Sequence, residues 1–348
     1  MIAPIMSLRR LSLVALALLL VALAGLSGLW LWSAEQLEQG VARWADKQRE
    51  RGYRISYQGP SIDGFPVQLE ALFETPEVAS PKGWRWSGPP VSGRSQIMAP
   101  TTIEARFPGL HRVTSEDAEM PLQAELEAAS ATALIDLDGR GRVESAEAAL
   151  GGVALEAPKI GALLVDRLVA GFGPWKQPEA GRAATMKLAG EASGILLPDQ
   201  GATPLGRKLE SVELDATLHE EIPDAKPRPA LVQWRDAGGK LDVHRVMFVW
   251  GPLTLEGDGT LGLDQELRPS GALKARMKGL KETIGALEAA GKLDSGQALA
   301  LNLTVGALAS LSSGSNDPNS PEVVLPVTLQ EGRLFLGPVP LLRLDPVL

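Results

Sequence analysis

A mainly β fold of the α+β class is predicted by three observations. An apolar run near the N-terminus is long enough to cross a membrane, short alternating apolar and polar segments fill most of the remaining chain, and helical spacing returns only near the C-terminus. These imply an N-terminal transmembrane helix followed by an extended, curved antiparallel meander sheet with a helical pair near the C-terminus. The chain divides into residues 1–33, a cytoplasmic stub and transmembrane anchor; 34–52, an amphipathic stalk helix; and 53–348, a periplasmic β-rich domain.

The run from Leu11 to Trp32 follows Arg9 and Arg10, and its polar side chains besides the tryptophans are Ser12 and Ser27, whose hydroxyls can bond back to helix carbonyls. A helix rises about 1.5 Å per residue, so the run covers a hydrocarbon core of roughly 30 Å. Trp30 and Trp32 close it with rings suited to the headgroup zone. With the arginines before it and Glu35 and Glu38 after it, the positive-inside rule places the N-terminus in the cytoplasm. The expected location is the inner membrane, single-pass, with the C-terminal domain in the periplasm. A cleaved signal peptide is the alternative, because Ala22-Leu23-Ala24 fits a small-x-small site that would leave Gly25 first. Continued apolar character through Leu26, Leu29, Trp30 and Leu31 favours retention.

A formal charge of −8 without a basic cluster argues against a nucleic-acid partner. The absence of cysteine excludes disulfides, thiol nucleophiles and Cys-ligated metals. Only His111, His219 and His244 are available for imidazole chemistry, and they are scattered.

After the anchor, Leu37, Val41 and Trp44 stand at helical spacing and Gly52 stops the stalk. Alternation then marks strands at Tyr53, Ile55 and Tyr57 and at Val67, Leu69, Ala71 and Phe73, with turns expected at Gly59-Pro60 and Asp63-Gly64-Phe65-Pro66. Ser80 to Pro108 reads as short strands with Trp84 and Trp86 on one face, a pair better suited to a core than to a ligand box. The next segment alternates around Leu122, Ala124 and Leu126 and again at Ala133, Ile135 and Leu137, and Asp138-Gly139 then signals a hairpin before Val143. Val153 to Leu155, Ala162 to Leu168 and Thr185 to Leu188 continue the series, punctuated by glycines and by Pro158, Pro174 and Pro178.

The clearest strand carries Val212, Leu214, Ala216 and Leu218 opposite Glu213, Asp215 and Thr217. Pro223 to Pro229 reads as a loop, Ala230 to Asp236 as one or two helical turns, and Leu241, Val243, Val246 to Trp250, Leu253, Leu255, Leu261 and Leu263 as further strands. Pro269 to Gly271 is expected to turn the chain into Leu273, Ala275 and Met277. Leu280, Ile284 and Leu287 then form a helical stripe ending near Gly291, and a second helix from Ser295 to Leu311 would align Leu299, Leu303 and Ala307. Ser312 to Pro321 reads as a polar turn, before strands at Val323 to Leu329 and Leu334 to Val339 around Glu331-Gly332.

Motifs that suggest chemistry each have a plainer structural explanation. Gly257-Asp258-Gly259-Thr260-Leu261-Gly262 matches G-x-G-x-x-G, but alternation runs through it to Leu263, as in a glycine-rich strand or bulge. His219-Glu220-Glu221 lacks the second histidine of a zinc helix and meets Pro223. Asp136-Leu137-Asp138-Gly139 has no third carboxylate at calcium-loop spacing. Asn302-Leu303-Thr304, a formal glycosylation sequon, sits inside a helical pattern. No residue is therefore assigned to catalysis, to a cofactor or to a metal, and the chain is not expected to be an enzyme.

At Gly64-Phe65-Pro66, Trp84-Arg85-Trp86, Trp250-Gly251-Pro252-Leu253 and Gly332-Arg333-Leu334-Phe335-Leu336-Gly337-Pro338, the chain resembles the DUF2125 family of alphaproteobacterial envelope proteins. The resemblance covers nearly all of the exported part and carries no catalytic residues. In architecture it is similar to AsmA-like envelope proteins, whose antiparallel sheets curl into an apolar-lined groove suited to lipid acyl chains. It implies a noncatalytic, membrane-anchored periplasmic protein that binds or shields a lipid-like ligand in envelope maintenance. The alternative is an envelope scaffold with a filled core and other envelope proteins as partners. A reporter enzyme fused after Ser33 is expected to be active only in the exported compartment, and cytoplasmic activity would reverse the assigned orientation.

Overall fold

The computed structural model describes residues 8–115, 122–158, 161–174, 184–199, 203–223, 225–311 and 322–347. One helix, α1 (Leu8–Glu50), carries both the apolar run and the stalk without a break. Its end is a glycine cap: the Gly52 N–H donates to the Arg49 carbonyl at 2.9 Å and the Tyr53 N–H to Gln48 at 3.1 Å, with Gly52 at φ +89°. The half-buried stripe of the stalk runs through Leu37 and Val41 to Ala45, whereas the expected Trp44 is exposed. Positions three and four beyond Val41 both lie near the stripe. The small alanine is the one that suits a helix lying close along β1 (Arg54–Asp63) and β2 (Gln68–Ala79).

Among the described residues every strand pairing is antiparallel, in one sheet. At its start the long β2 pairs along one side with two short strands in tandem, β3 (Trp84–Ser87) and β4 (Val91–Gln96). These pair respectively with β6 (Gly109–Ser115) and β5 (Ala99–Arg106), and both of those dock on the long β7 (Leu122–Leu137). From there the sheet is a pure meander: β8 (Val143–Ala157), β9 (Gly161–Gly173), β10 (Ala184–Leu196), β11 (Lys208–His219), then, after α2 (Pro227–Asp236), β12 (Lys240–Trp250), β13 (Leu253–Leu263) and β14 (Pro269–Lys278). Helices α3 (Leu280–Ala289) and α4 (Ser295–Leu311) precede β15 (Val323–Gln330), β16 (Arg333–Leu336) and β17 (Val339–Arg343).

Several sequence expectations are corrected here. Gly59-Pro60 lies within β1 as an irregularity in its register, while Gly64, at φ +97°, makes the turn. Helix α2 starts at Pro227, because proline's missing N–H costs nothing in a first helical turn. Pro269 to Gly271 is already strand, and the turn before it is built by Asp264. Pro178 and Ser312 to Pro321 lie outside the described residues.

Two hairpins use the same device. Asp138 accepts hydrogen bonds from the Arg140 and Arg142 N–H groups at 2.8 and 2.9 Å and from Arg142 Nε at 2.9 Å. Asp264 repeats this with the Glu266 and Arg268 N–H groups at 3.0 and 2.8 Å and Arg268 Nε at 2.7 Å. For Asp138 the main-chain bond from Arg142 is the largest cause holding the carboxyl below its ordinary value. For Asp264 burial pushes upward, but the Arg268 main chain and guanidinium outweigh it and hold the group low.

The largest core lies at the C-terminal end. Leu280 and Ile284 of α3 and Ala298, Leu301 and Val305 of α4 pack on Ala275, Met277, Val323, Leu325 and Val327. Asp294 caps α4 by accepting from the Gln297 N–H at 2.8 Å while Gln297 Oε1 accepts from the Asp294 N–H at 3.0 Å. The expected stripe on α4 is reversed, since Leu299 and Leu303 face outward. The helix is apolar nearly all round, so its period alone does not select a face.

Ile284 is 1% exposed and Lys281 is exposed, so Ile284→Asp is expected to cost several kcal/mol, the penalty of burying an unpaired carboxylate, and Lys281→Asp almost nothing. Urea unfolding of the detergent-solubilised chain measures both. Because folding depresses the Asp138 and Asp264 carboxyls, their stabilisation is complete above the unfolded aspartate value of about 3.9 and is lost as pH falls through the lower folded values. Asp264→Ala should cost about 1–2 kcal/mol near pH 7, the low end for charged hydrogen bonds because the turn is partly solvated, and should flatten the acid limb of an unfolding-versus-pH curve.

Candidate functional site

Directly paired residues of antiparallel strands point to the same face, so the registers identify which side chains share a surface. One transverse row runs from Ile62 and Ala71 through Gly93 and Ala105 to Ala133, Ala148, Ala170 and Gly190, then on through Leu214, Val246 and Gly257 to Ala275 and Leu325. A second joins Ile103, Ile135, Ala146, Phe172, Leu188, Ala216 and Val243. Both are apolar throughout these stretches, and the first is made mostly of alanine and glycine in its middle. Small residues leave a shallow floor instead of a filled layer.

The cover over this face is uneven. Beneath α3 and α4 the row is fully buried at Ala275 and Leu325, while Ala170 and Phe172 of β9 are exposed. Toward the other end of β7–β11, a smaller core of Ala128, Ala131, Val153, Val165 and Ile195 closes the surface with Phe107, Leu126, Leu163 and Leu197. Between the two cores the apolar stretch is only partly covered: Ala133, Ala148, Gly190, Leu214 and Val246 are half-buried and Ala170 and Phe172 exposed, while Ala216 and Val243 at the β11–β12 end of the second row are buried. From Ala133 on β7 to Val246 on β12 it spans roughly 24 Å at about 4.8 Å per strand step, longer than the roughly 15 Å half-thickness of a bilayer core.

The smaller core meets this stretch through a line of ladder breaks. Ala129, Gly152, Asp166, Gly194 and Glu210 all drop out of pairing at adjacent positions on β7 to β11, with Gly152 and Gly194 at φ +59° and +63°. Across this line the apolar positions step by three, as in Ala128 and Ala131, Val165 and Leu168, or Ile195 and Ala192, yet they share one cluster. The breaks re-phase each strand so that its apolar set stays on one face, and such irregularities bend a strand. This is why the two alternating patterns before Asp138 belong to a single strand.

The opposite face is charged. Glu70 and Arg94 pair at 3.1 Å, Lys187 and Asp215 at 3.0 Å, and Arg245 bridges Glu256 at 3.2 Å and Glu213 at 3.6 Å. A trough of about 940 Å³ lies there over β7 to β12, because Gly171, Gly173 and Ala189 leave room between Glu147, Glu191, Asp215 and Arg245. Its walls carry more carboxylates than bases, beside apolar Leu134, Val169 and Phe172.

The residues weighed for chemistry are dispersed. His219 ends β11, where its Nε2 lies 2.7 Å from Asp242 Oδ2 and its carbonyl accepts from Trp234 Nε1 at 2.8 Å. Thr260 donates to Asp242 Oδ1 at 2.8 Å, and His244 Nε2 lies 2.7 Å from Thr217 Oγ1. This network ties α2 to three strands, and the buried His219 Nδ1 has no hydrogen-bond partner. Asp136 accepts from Thr102 and Ser145 at 2.8 and 2.9 Å, apart from the turn that Asp138 forms. No group of three or more possible metal-ligating side chains occurs among the described residues. The glycine run from Gly257 to Gly262 is inside β13 and opens no helix. Asn302 and Thr304 are within α4, and Trp86 stacks on His111 with ring centroids 6.0 Å apart.

Alternation within each strand is legible in the sequence, but the alignment between strands is carried by no single strand. The three-residue step across Gly152 and Gly194 was the available signal for the break line.

Compared with known proteins, residues 30–345 match the model of DUF2125, described as an uncharacterized protein conserved in bacteria. No curated protein and no solved structure matches the chain.

Proposed function

The chain belongs to the DUF2125 family, and on that premise we propose that it is a noncatalytic, inner-membrane-anchored periplasmic protein whose partly covered apolar sheet face holds the acyl chains of a lipid in envelope maintenance. The observation that supports this reading is the partly covered apolar stretch from Ala133 to Val246 between the two cores, floored by half-buried Ala148 and Gly190 and exposed at Ala170 and Phe172. Exposed apolar area is costly in water at about 25 cal/mol per Å², and a hydrocarbon occupant relieves that cost. The helix α1 supports the membrane part of the proposal, since it is apolar enough to span. Its retention, with Arg9 and Arg10 on the cytoplasmic side, is part of the same reading.

A scaffold with a filled core is the second reading, favoured by one observation: α3 and α4 seal the C-terminal strands while α4 turns Leu299 and Leu303 outward, as a helix does when another protein covers it. One experiment separates the two. Lipid extracted from the detergent-purified chain and quantified by mass spectrometry should appear in fixed stoichiometry, and Ala170→Glu together with Gly190→Asp should abolish it by placing charge on the floor. Leu299→Ser should leave the lipid in place. Loss of lipid from Leu299→Ser alone, or no bound lipid in the parent, would refute the lipid reading.

A further inference from the structure

The hairpin that joins β1 to β2 returns to the point where the apolar run of α1 ends. Trp30 Nε1 donates to the Gln68 carbonyl at 2.6 Å, and the Trp30 ring meets Phe65 edge-on with centroids 5.6 Å apart. The lengths agree with this closure. From Trp30 to Glu50 the helix rises about 30 Å at 1.5 Å per residue, and the extended run from Arg54 to Phe65 descends by a similar distance at about 3.3 Å per residue.

Beside that hairpin stands the tip of β4–β5. Gln68 pairs with Gln96, and the Ile97 N–H donates to the Val67 carbonyl at 3.1 Å, so the two tips form one surface. That surface is exposed and apolar: Phe65 is 58% exposed, Val67 55% and Met98 89%. No charged residue lies between Asp63 and Glu70, or between Arg94 and Glu104. The β7–β8 tip, by contrast, carries Asp138, Arg140 and Arg142. An aromatic, an aliphatic and a thioether side chain, held without charge beside a tryptophan at the end of a membrane span, match the composition of a segment seated in the bilayer interface.

We propose that the β1–β2 and β4–β5 tips dip into the outer leaflet beside α1, as a second membrane contact formed by Phe65, Val67 and Met98. The span alone would leave the sheet free to tilt and swivel. Two contacts side by side fix it, with β1 and β2 standing on the bilayer and the first apolar row, which begins at Ile62 and Ala71, starting next to the lipid. The proposal rests on the anchor in the reading above and does not depend on lipid occupying the sheet face.

The test exploits the absence of cysteine. Single cysteines replacing Phe65, Met98, Arg51 and Leu20 in the full chain are labelled with an environment-sensitive fluorophore. Each protein is placed in phosphatidylcholine vesicles containing lipids with a nitroxide near the headgroup or deeper in the acyl chain. Labels at Phe65→Cys and Met98→Cys should lose about half or more of their emission to the shallow nitroxide, the depth expected of an interfacial segment. Leu20→Cys should respond to the deep nitroxide, and Arg51→Cys, at the far end of the stalk, only to aqueous iodide. Should Phe65→Cys and Met98→Cys behave like Arg51→Cys while Leu20→Cys is quenched, the anchor stands and the second contact does not exist; a protein partner then becomes the occupant of that patch. If Leu20→Cys also escapes the lipid quenchers, the anchor fails and the second contact fails with it. Met98→Cys changes an almost fully exposed side chain, so its result is independent of folding defects.

Discussion

Everything in this structure depends on adjacent strands aligning their small apolar residues in the same transverse rows. A sheet of this width is one layer deep for much of its extent, and each strand has only its own alternation to decide which side chains face the core. A shift of one residue in any ladder would turn alanine and glycine outward and the Glu70–Arg94 or Lys187–Asp215 pairs inward, burying charge. The turn aspartates, Asp138 and Asp264, guard against this. Each fixes its hairpin by accepting two main-chain N–H groups and an arginine, so the register is set where the chain reverses.

The break line through Ala129, Gly152, Asp166, Gly194 and Glu210 is the second consequence of the same requirement. Long strands that bend must interrupt their ladder, and an interruption that left the pleat unchanged would put the two halves of each strand on opposite faces. The three-residue step keeps both halves apolar on one side. Glycine at positive φ serves this at Gly152 and Gly194, where a Cβ would also crowd Ala129 and Asp166. The bend closes one part of the face into a core and leaves the neighbouring part only partly covered.

Helices seal the apolar face at its two ends, while strand side chains close it around Val153 and Val165. On the C-terminal strands α3 and α4 supply Ile284, Leu301 and Val305 to a close-packed layer, while α1 lies along the first two strands and is tied down by Trp30. Between them α2 is tied to the end of β11, and Ala170 and Phe172 of β9 stay exposed.

Much was legible in the sequence because it is local. The apolar run and its arginines, the alternation of β11 and β15, the Gly52 stop, the Asp138 hairpin and the Leu280, Ile284 and Leu287 stripe each need only a few neighbouring residues to be recognised. The tertiary structure decided what depends on residues far apart: which of Trp44 and Ala45 meets the sheet, which side of the uniformly apolar α4 is buried, that Leu122 and Leu137 belong to one strand, and that Trp30 reaches Gln68. The same holds for the candidate site. Its residues, mostly small or aliphatic, have no chemical signature of their own, and they become a surface only when hydrogen bonding between strands sets them side by side.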